Sequence, residues 1–517
     1  MSSEKKTSLI INALSNWVTL GLNLAIGLLL TPYIIGCLGT EGYGIWALVI
    51  SIIGYYGLLD LGVSSALIRY VARYAGQKKS NELNEVVNTA LVTYCLVGLI
   101  VVLLSFLLAS PLARFFRIQE DNYESFKWVI WLLGITTAIR FPAKLFSVTI
   151  LGYERFVLAN MVNIAEAILR GVFCFLVLYY EGGLIGISWV YTGLSVFVLF
   201  ANFALLKLYF KHTAFSINLV KMPVAKKLFS FGFFTSIRHV GNILQTRIGA
   251  AVIGRCINIE AVGVYSIATL LFGYLTGFVM AAAGVTQPKL ASIAGQEDKT
   301  RFPESVLRYS IIVSNLSVVF GVAAFLLAGD FIKLWVPENF TEVRKATVSF
   351  WILLVGLLPY LMTCVSITAL EAVKKHPYLA YQTIVQGIVG FTLSVLLVSR
   401  FGMYGVAMGT AIPGALATCV VQPIYYCRII GIKWSKYMTV VFVKPVLVAT
   451  GVITLYKIMG IHAATTFLEL IVQGMVILLV YVILASVFCL DHKTRLILLA
   501  KWRNLMCVFG ITKERLE

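Results

Sequence analysis

Ionisable side chains inside long apolar segments are the residues of this chain best placed to do chemistry. Arg140 and Lys144 lie four apart, with Pro142 between them. On a helix they share a face, and two cations one turn apart form a ledge that suits a phosphate, because guanidinium pairs bidentately with phosphate oxygens. The alternative is that both lie near the cytoplasmic end of their segment and snorkel to lipid head groups, Lys144 more readily than Arg140. Arg238 and Arg247 lie nine apart, with Gln245 nearby. Nine residues turn a straight helix by about half a circle, so both face one cavity only if the helix bends, for which Gly241 offers a site. Glu166 and Arg170, four apart, predict an intrahelical ion pair that faces protein or water. Asp60 can pair with a neighbouring arginine or carry a coupling proton. Among these deep charges arginine outnumbers acid, which suits an anionic ligand. Arg140, Arg238, Arg247, Lys144 and Arg170 are therefore the substrate-binding candidates, and Asp60 and Glu166 the ion-coupling candidates. No catalytic residue is assigned.

These charges stand out because so little else is charged. Of 517 residues, 60% are hydrophobic and only 13% charged, and apolar stretches of about twenty residues recur from end to end. The segments are continuous rather than alternating, so the expected fold class is an all-α integral membrane protein, not a barrel. About fourteen transmembrane helices are predicted, near 9–36, 43–66, 86–110, 128–150, 157–180, 183–206, 228–253, 261–286, 305–328, 348–371, 378–399, 402–427, 437–459 and 465–490. The first stretch is too long for a signal-peptide core and reads as a span.

Charge bias sets the orientation. With the N-terminus in the cytoplasm, 27 lysines and arginines fall on the cytoplasmic side and 9 on the other, with 6 more inside or at the edges of spans. Both termini are expected in the cytoplasm. The net charge of +19 follows from the same bias and from attraction to anionic membrane lipid. Nucleic acid is not an expected partner, since there is no soluble basic face. Nine scattered cysteines without CxxC spacing and five histidines without metal spacing read as packing residues, with no metal site. The extramembrane segments are too short for a soluble catalytic domain, and no GxxxxGK[ST] loop occurs. No cofactor is expected apart from a coupling proton or sodium ion.

The chain repeats itself at an offset of 219 residues. Cys37, Glu41, Gly44 and Gly54 align with Cys256, Glu260, Gly263 and Gly273, and Ala72-x-x-Ala75-Gly76-Gln77 aligns with Ala291-x-x-Ala294-Gly295-Gln296. Ser147, Thr149 and Leu151 align with Ser366, Thr368 and Leu370, and Gly171, Gly183 and Gly186 with Gly390, Gly402 and Gly405. The offset spans six segments, an even number, so the copies share one orientation. Parallel repeats of this kind build secondary transporters with a central cavity. The expected organisation is a six-helix bundle over 1–206, a cytoplasmic connector over 207–227, a second six-helix bundle over 228–427, and two C-terminal helices within 428–490. The tail, 491–517, is basic and partly amphipathic, which predicts an interfacial cytoplasmic helix.

The stretch Thr31-Pro-Tyr-Ile-Ile-Gly-Cys-Leu-Gly-Thr-Glu-Gly-Tyr-Gly-Ile-Trp46 resembles the signature of the polysaccharide export family. Gly57-Leu-Leu-Asp-Leu-Gly-Val-Ser-Ser-Ala-Leu-Ile-Arg-Tyr70 resembles the second helix of the same family. That family belongs to the multidrug, oligosaccharidyl-lipid and polysaccharide exporter superfamily, with O-antigen flippases as its best-known members. The resemblance implies a non-enzymatic flippase of the bacterial inner membrane. Its cargo would be an undecaprenyl-pyrophosphate-linked oligosaccharide, an O-antigen or related repeat unit, moved from the cytoplasmic to the outer leaflet by alternating access. The pyrophosphate would sit among cavity arginines, and the two extra helices would offer a groove for the lipid tail. Polymerase and chain-length proteins of a glycan pathway would be further partners. Three other readings compete. A drug or metabolite antiporter on the same fold would favour buried carboxylates over arginines. A membrane glycan polymerase or ligase would need larger outer loops. A non-transporting scaffold would leave the arginines dispensable.

Overall fold

In the computed structural model, residues 3–210, 213–294, 301–373 and 376–489 are described. The expected amphipathic tail at 491–517 lies outside them. The first part of the chain forms α1 (Ser3–Tyr56), a 3-10 turn (Gly57–Asp60), α2 (Val63–Gly76), α3 (Ser80–Phe115), α4 (Glu120–Gly152), α5 (Phe156–Tyr179) and α6 (Gly183–Tyr209). There follow α7 (Met222–Cys256), α8 (Ile259–Gly284), α9 (Gln287–Ala294), α10 (Arg301–Trp335), α11 (Val343–Met362), α12 (Cys364–Ala372) and α13 (His376–Leu416). The chain then runs through α14 (Gln422–Ile430), α15 (Trp434–Met438), α16 (Lys444–Ile458) and α17 (Phe467–Phe488), with π-helical turns at Ala417–Val421 and Thr439–Val443. No strand occurs among the described residues.

The fold is that of an all-helical membrane protein. Eleven helical segments are long and apolar enough to cross a bilayer. Two of these, Leu14–Asp60 and Tyr378–Ile430, each contain two of the predicted spans, run together across kinks at Gly39 (φ 69°) and Gly402 (φ 56°). α7 is not among the eleven, because its centre carries Arg238, His239 and Arg247. Its 35 residues are nevertheless ample for a span of about 30 Å at 1.5 Å per residue.

The described chain groups into two compact units. One comprises Met1–Leu270, Trp335–Ser349 and Pro377–Thr410, and the other Leu271–Leu334, Phe350–His376 and Ala411–Glu517. In the first, α4 packs along α3 and α6, while α1 packs on α5 and α7. A core of Tyr56, Leu67, Val71, Val87, Tyr94 and Leu145 joins α1 to α4. The duplication is visible in the backbone here. Gly183 and Gly402, one repeat apart, take φ values of 59° and 56°. Gly44 and Gly263, also one repeat apart, meet each other's helices. A Cβ on Gly44 would stand 2.1 Å from the Ile259 carbonyl oxygen, and one on Gly263 would stand 2.6 Å from that of Thr40. Thr40 and Ile259 are themselves one repeat apart, so this crossing is two-fold symmetric and only glycine fits at its centre.

In the second unit, α17 is tied to α10 by Tyr481, whose hydroxyl donates to Asn315 Oδ1 at 3.2 Å. The Ser366 and Tyr437 hydroxyls meet at 2.6 Å, and the Ala464 N–H donates to Asp330 Oδ2 at 2.8 Å.

The predicted connector is strapped to α3 rather than slack. Asn88 donates to the Ala214 carbonyl at 2.7 Å and accepts from the Ser216 N–H at 2.9 Å. Asn84 accepts from the Ala214 N–H at 3.1 Å, and Thr89 from that of Lys221 at 3.1 Å. Two amides and a hydroxyl thus supply the hydrogen bonds that an extended segment would otherwise take from water. Asn88→Leu is expected to cost about 2–3 kcal/mol, from two hydrogen bonds lost around a buried site. Limited proteolysis of the full chain should then cut between α6 and α7, where the unaltered protein resists.

Candidate functional site

The site is organised by the turn that ends α1. Leu61 (φ 47°) and Gly62 (φ 72°) both adopt left-handed backbone after the 3-10 turn. Gly62 lies against Gly232 of α7 so closely that a Cβ would stand 2.4 Å from the Gly232 carbonyl oxygen. This break turns Asp60 into the unit and leaves it 8% exposed. Its carboxylate accepts from Ser64 Oγ at 2.9 Å, from the Tyr94 hydroxyl, and from Lys144 Nζ at 3.2 Å.

One turn along α4, Arg140 Nη2 donates to Glu166 of α5. Glu166 is 9% exposed. The two α4 cations therefore share a face, as their spacing predicts, and each is held from behind by a carboxylate from another element. Their heads remain open. The Arg140 and Lys144 side chains are 39% and 47% exposed, against 12% for Glu166 and 11% for Asp60. Each cation thus has a carboxylate partner on another element.

The expected intrahelical pair of Glu166 with Arg170 is not what forms. Glu166 reaches across to α4, and Arg170 donates to Asn23 Oδ1 of α1 at 2.8 Å. Tyr191 of α6 lies within electrostatic range of Arg170, Arg140 and Glu166. Side chains of four helices, α1, α4, α5 and α6, thus converge on one charged cluster.

Arg238 and Arg247 do not join this cluster along one face. α7 runs as one helix through Gly241, which is pressed against the Thr383 backbone of α13, a Cβ there standing 2.6 Å from it. Arg247 turns toward α1, beside Tyr55 and under Gly54, where an added Cβ would meet its Nε at 3.3 Å. Its backbone carbonyl accepts from Ser51 Oγ at 2.8 Å. His239, next to Arg238, lies within electrostatic range of Asp60 and Lys144.

Several members of the site were not singled out from the sequence. Ser64 and Tyr94 around Asp60, Asn23 on Arg170, and Tyr191 are the main ones. A signal existed for α1: Ser15, Thr19 and Asn23 recur every four residues, a polar stripe on an apolar helix. The stripe faces α5, where Asn160 donates to Ser15 Oγ at 2.9 Å and to Asn16 Oδ1 at 2.6 Å. Tyr94 gave no such signal, because one tyrosine in an apolar segment reads as packing.

Chemically, two partly exposed cations, each backed by a carboxylate, are able to bind an anion. A guanidinium has five donors, and Glu166 engages the Nη2 edge of Arg140. The remaining guanidinium donors, and the Lys144 ammonium protons that Asp60 does not take, can reach phosphate oxygens. The carboxylates hold these cations in place and balance their charge.

Residues 9–294 match the family described as polysaccharide biosynthesis protein. A putative O-antigen transporter of Shigella flexneri is 20% identical over 396 residues, 75% of this chain and 90% of that one. The membrane protein EpsK of Bacillus subtilis (strain 168), itself uncharacterized, is 21% identical over 504 residues, 96% of this chain and 98% of its own length. Among solved structures, the lipid II flippase MurJ in an inward closed conformation superposes with a TM-score of 0.71 at 16% identity. That superposition covers 92% of this chain and 98% of the other, and extends the likeness of fold well beyond the residues matched to the family.

Proposed function

The chain belongs to the polysaccharide biosynthesis protein family, and from that membership we propose that it is a flippase for an anionic lipid-linked oligosaccharide. The cargo is an undecaprenyl-pyrophosphate-linked glycan, the O-antigen or a related repeat unit. It moves from the cytoplasmic to the outer leaflet of the bacterial inner membrane, with both termini of the chain in the cytoplasm. The observation that carries this reading is the α4 ledge, where Arg140 and Lys144 are pinned from behind by Glu166 and Asp60 with their heads open. A diphosphate presents oxygens on two adjacent phosphorus atoms, which suits two cations one turn apart. Arg170 adds positive charge beside the ledge. A small cationic drug finds no unpaired carboxylate in this cluster, so the antiporter reading lacks a site here.

Transport proceeds by alternating access, with binding energy differing between the inward and outward states. Asp60 and Glu166 are where a coupling proton or sodium ion acts, since neutralising either carboxylate changes how firmly its cation is held. Polymerase and chain-length proteins of the same glycan pathway are its partners. No bond is made or broken in the cycle, so the protein is not an enzyme.

The test is complementation in cells deleted for their own O-antigen flippase. The unaltered chain is expected to restore surface glycan. Failure to restore it, together with no build-up of lipid-linked oligosaccharide on the inner leaflet when the gene is deleted in its native host, would refute the reading.

A further inference from the structure

α7 carries a second polar surface that the charged cluster does not use. Arg238, Asn242 and Thr246 are all exposed, although they occupy the middle of a helix long enough to span the bilayer. At about 100° per residue they trace one arc of roughly 80°. One flank of this arc is covered, and the other continues it. On one flank Gly241 and Gln245 lie against α13, Gln245 Nε2 donating to the Thr383 carbonyl at 3.1 Å and to Gln386 Oε1 at 3.0 Å. On the other flank His239 and Arg247 are themselves exposed, His239 within electrostatic range of Asp60 and Lys144 and Arg247 beside Gly54 of α1. Toward the end of α7 the arc is closed by the Tyr265 ring of α8, which lies 2.9 Å from the position of a Cβ on Gly249.

The arc cannot face hydrocarbon at tolerable cost, because it carries the charge of Arg238 and an Asn242 amide that only water or a ligand would satisfy there. It faces water or cargo. Its chemistry differs from that of the α4 ledge. The Asn242 amide has no partner among the described residues, and Thr246 Oγ1 donates only to the Asn242 carbonyl at 2.9 Å, which leaves its lone pairs open. An amide and a hydroxyl can both donate and accept, which matches vicinal sugar hydroxyls and gives little hold on phosphate.

We propose that Asn242 and Thr246 of α7 form a carbohydrate-recognition stripe that reads the sugars next to the diphosphate of the cargo. The proposal rests on the flippase reading and adds which part of the cargo α7 recognises. From Arg238 to Thr246 the stripe rises about 12 Å, comparable in length with a disaccharide. Arg238 stands at the end of the stripe nearest the break at Gly62, next in sequence to His239, which lies within electrostatic range of Asp60 and Lys144. With the diphosphate on the α4 ledge of Arg140 and Lys144, the sugars extend along α7 from the His239 end toward Tyr265.

The experiment measures binding by the full chain in lipid nanodiscs with two probes. One is undecaprenyl diphosphate without sugar, and the other is the lipid-linked oligosaccharide extracted from membranes of the source organism. The unaltered protein should bind the glycosylated probe at least about tenfold more tightly than the bare diphosphate, given two or more added hydrogen bonds. Asn242→Leu combined with Thr246→Val should erase that increment and leave bare-diphosphate affinity unchanged. Asn242→Gln and Thr246→Ser, which keep the polar groups, should retain part of it and guard against a general packing defect. A double variant that keeps the full increment, or loses affinity for both probes equally, overturns the proposal. An unaltered protein that binds both probes equally overturns it as well and leaves the flippase reading standing. Binding of neither probe sinks both.

Discussion

Arg140→Ala is expected to reduce surface-glycan export by at least roughly a hundredfold at equal protein level. Two losses combine in this figure. The first is a cation with several open donors at the phosphate ledge, worth about 1.5–3 kcal/mol for each charge-assisted hydrogen bond. The second is the partner of Glu166, a carboxylate 9% exposed. Breaking a buried ion pair from one side costs about 3–5 kcal/mol, and the low end applies because the Arg140 side chain is 39% exposed. The second loss can be separated from the first. Arg140→Ala with Glu166→Gln removes the stranded charge, so thermal stability should return toward that of the unaltered protein while export stays absent. Return of export in the double variant would show that Arg140 serves only to neutralise Glu166, and would remove it from the binding site. Fluorescence-detected melting in detergent, alongside surface-glycan staining of cells, reads both effects.

Gly62→Val carries the largest expected effect on folding. Its φ of 72° costs a residue with a Cβ about 1–2 kcal/mol, more for a β-branched one. Its Cβ would also stand 2.4 Å from the Gly232 carbonyl oxygen, so α7 must move away from the end of α1. Together these exceed what a marginally stable unit can lose, and Gly62→Val should be nearly absent from membranes at 37 °C. Gly57→Ala is the control. Gly57 starts the same turn, yet nothing lies within 4 Å of its would-be Cβ. It should accumulate normally and export glycan. Normal accumulation of Gly62→Val would mean that the Gly62–Gly232 approach is not needed to place Asp60.

The sequence announced the membrane class, the approximate spans and the shared face of Arg140 and Lys144, because these follow from local periodicity and hydropathy. The duplication was legible for the same reason, and its structural expression at Gly44 and Gly263 follows from glycines placed where two repeat-related helices touch. Partner choice was not legible. Glu166 could be matched to Arg170 by spacing along the chain, but its pairing with Arg140 depends on how α4 and α5 pack, which no local pattern encodes. The role of Lys144 was hidden similarly. A lysine near the end of a span reads as a snorkeler until a buried Asp60 is brought beside it by the left-handed residues Leu61 and Gly62. On α7 spacing alone put Arg238 and Arg247 half a circle apart, but the packing of α13 against Gly241 is a tertiary contact that no local pattern encodes.

The most direct test of the central claim is a flipping assay with the purified full chain in proteoliposomes. Labelled undecaprenyl-diphosphate oligosaccharide is placed in the inner leaflet, and its arrival outside is read by cleavage with a membrane-impermeant glycosidase. The unaltered protein should expose the glycan well above the protein-free rate, and Arg140→Ala and Lys144→Ala should each fall back toward that rate. Exposure by the unaltered chain that matches protein-free liposomes, with active accumulation of a cationic dye in the same vesicles, would contradict the account and favour an antiporter.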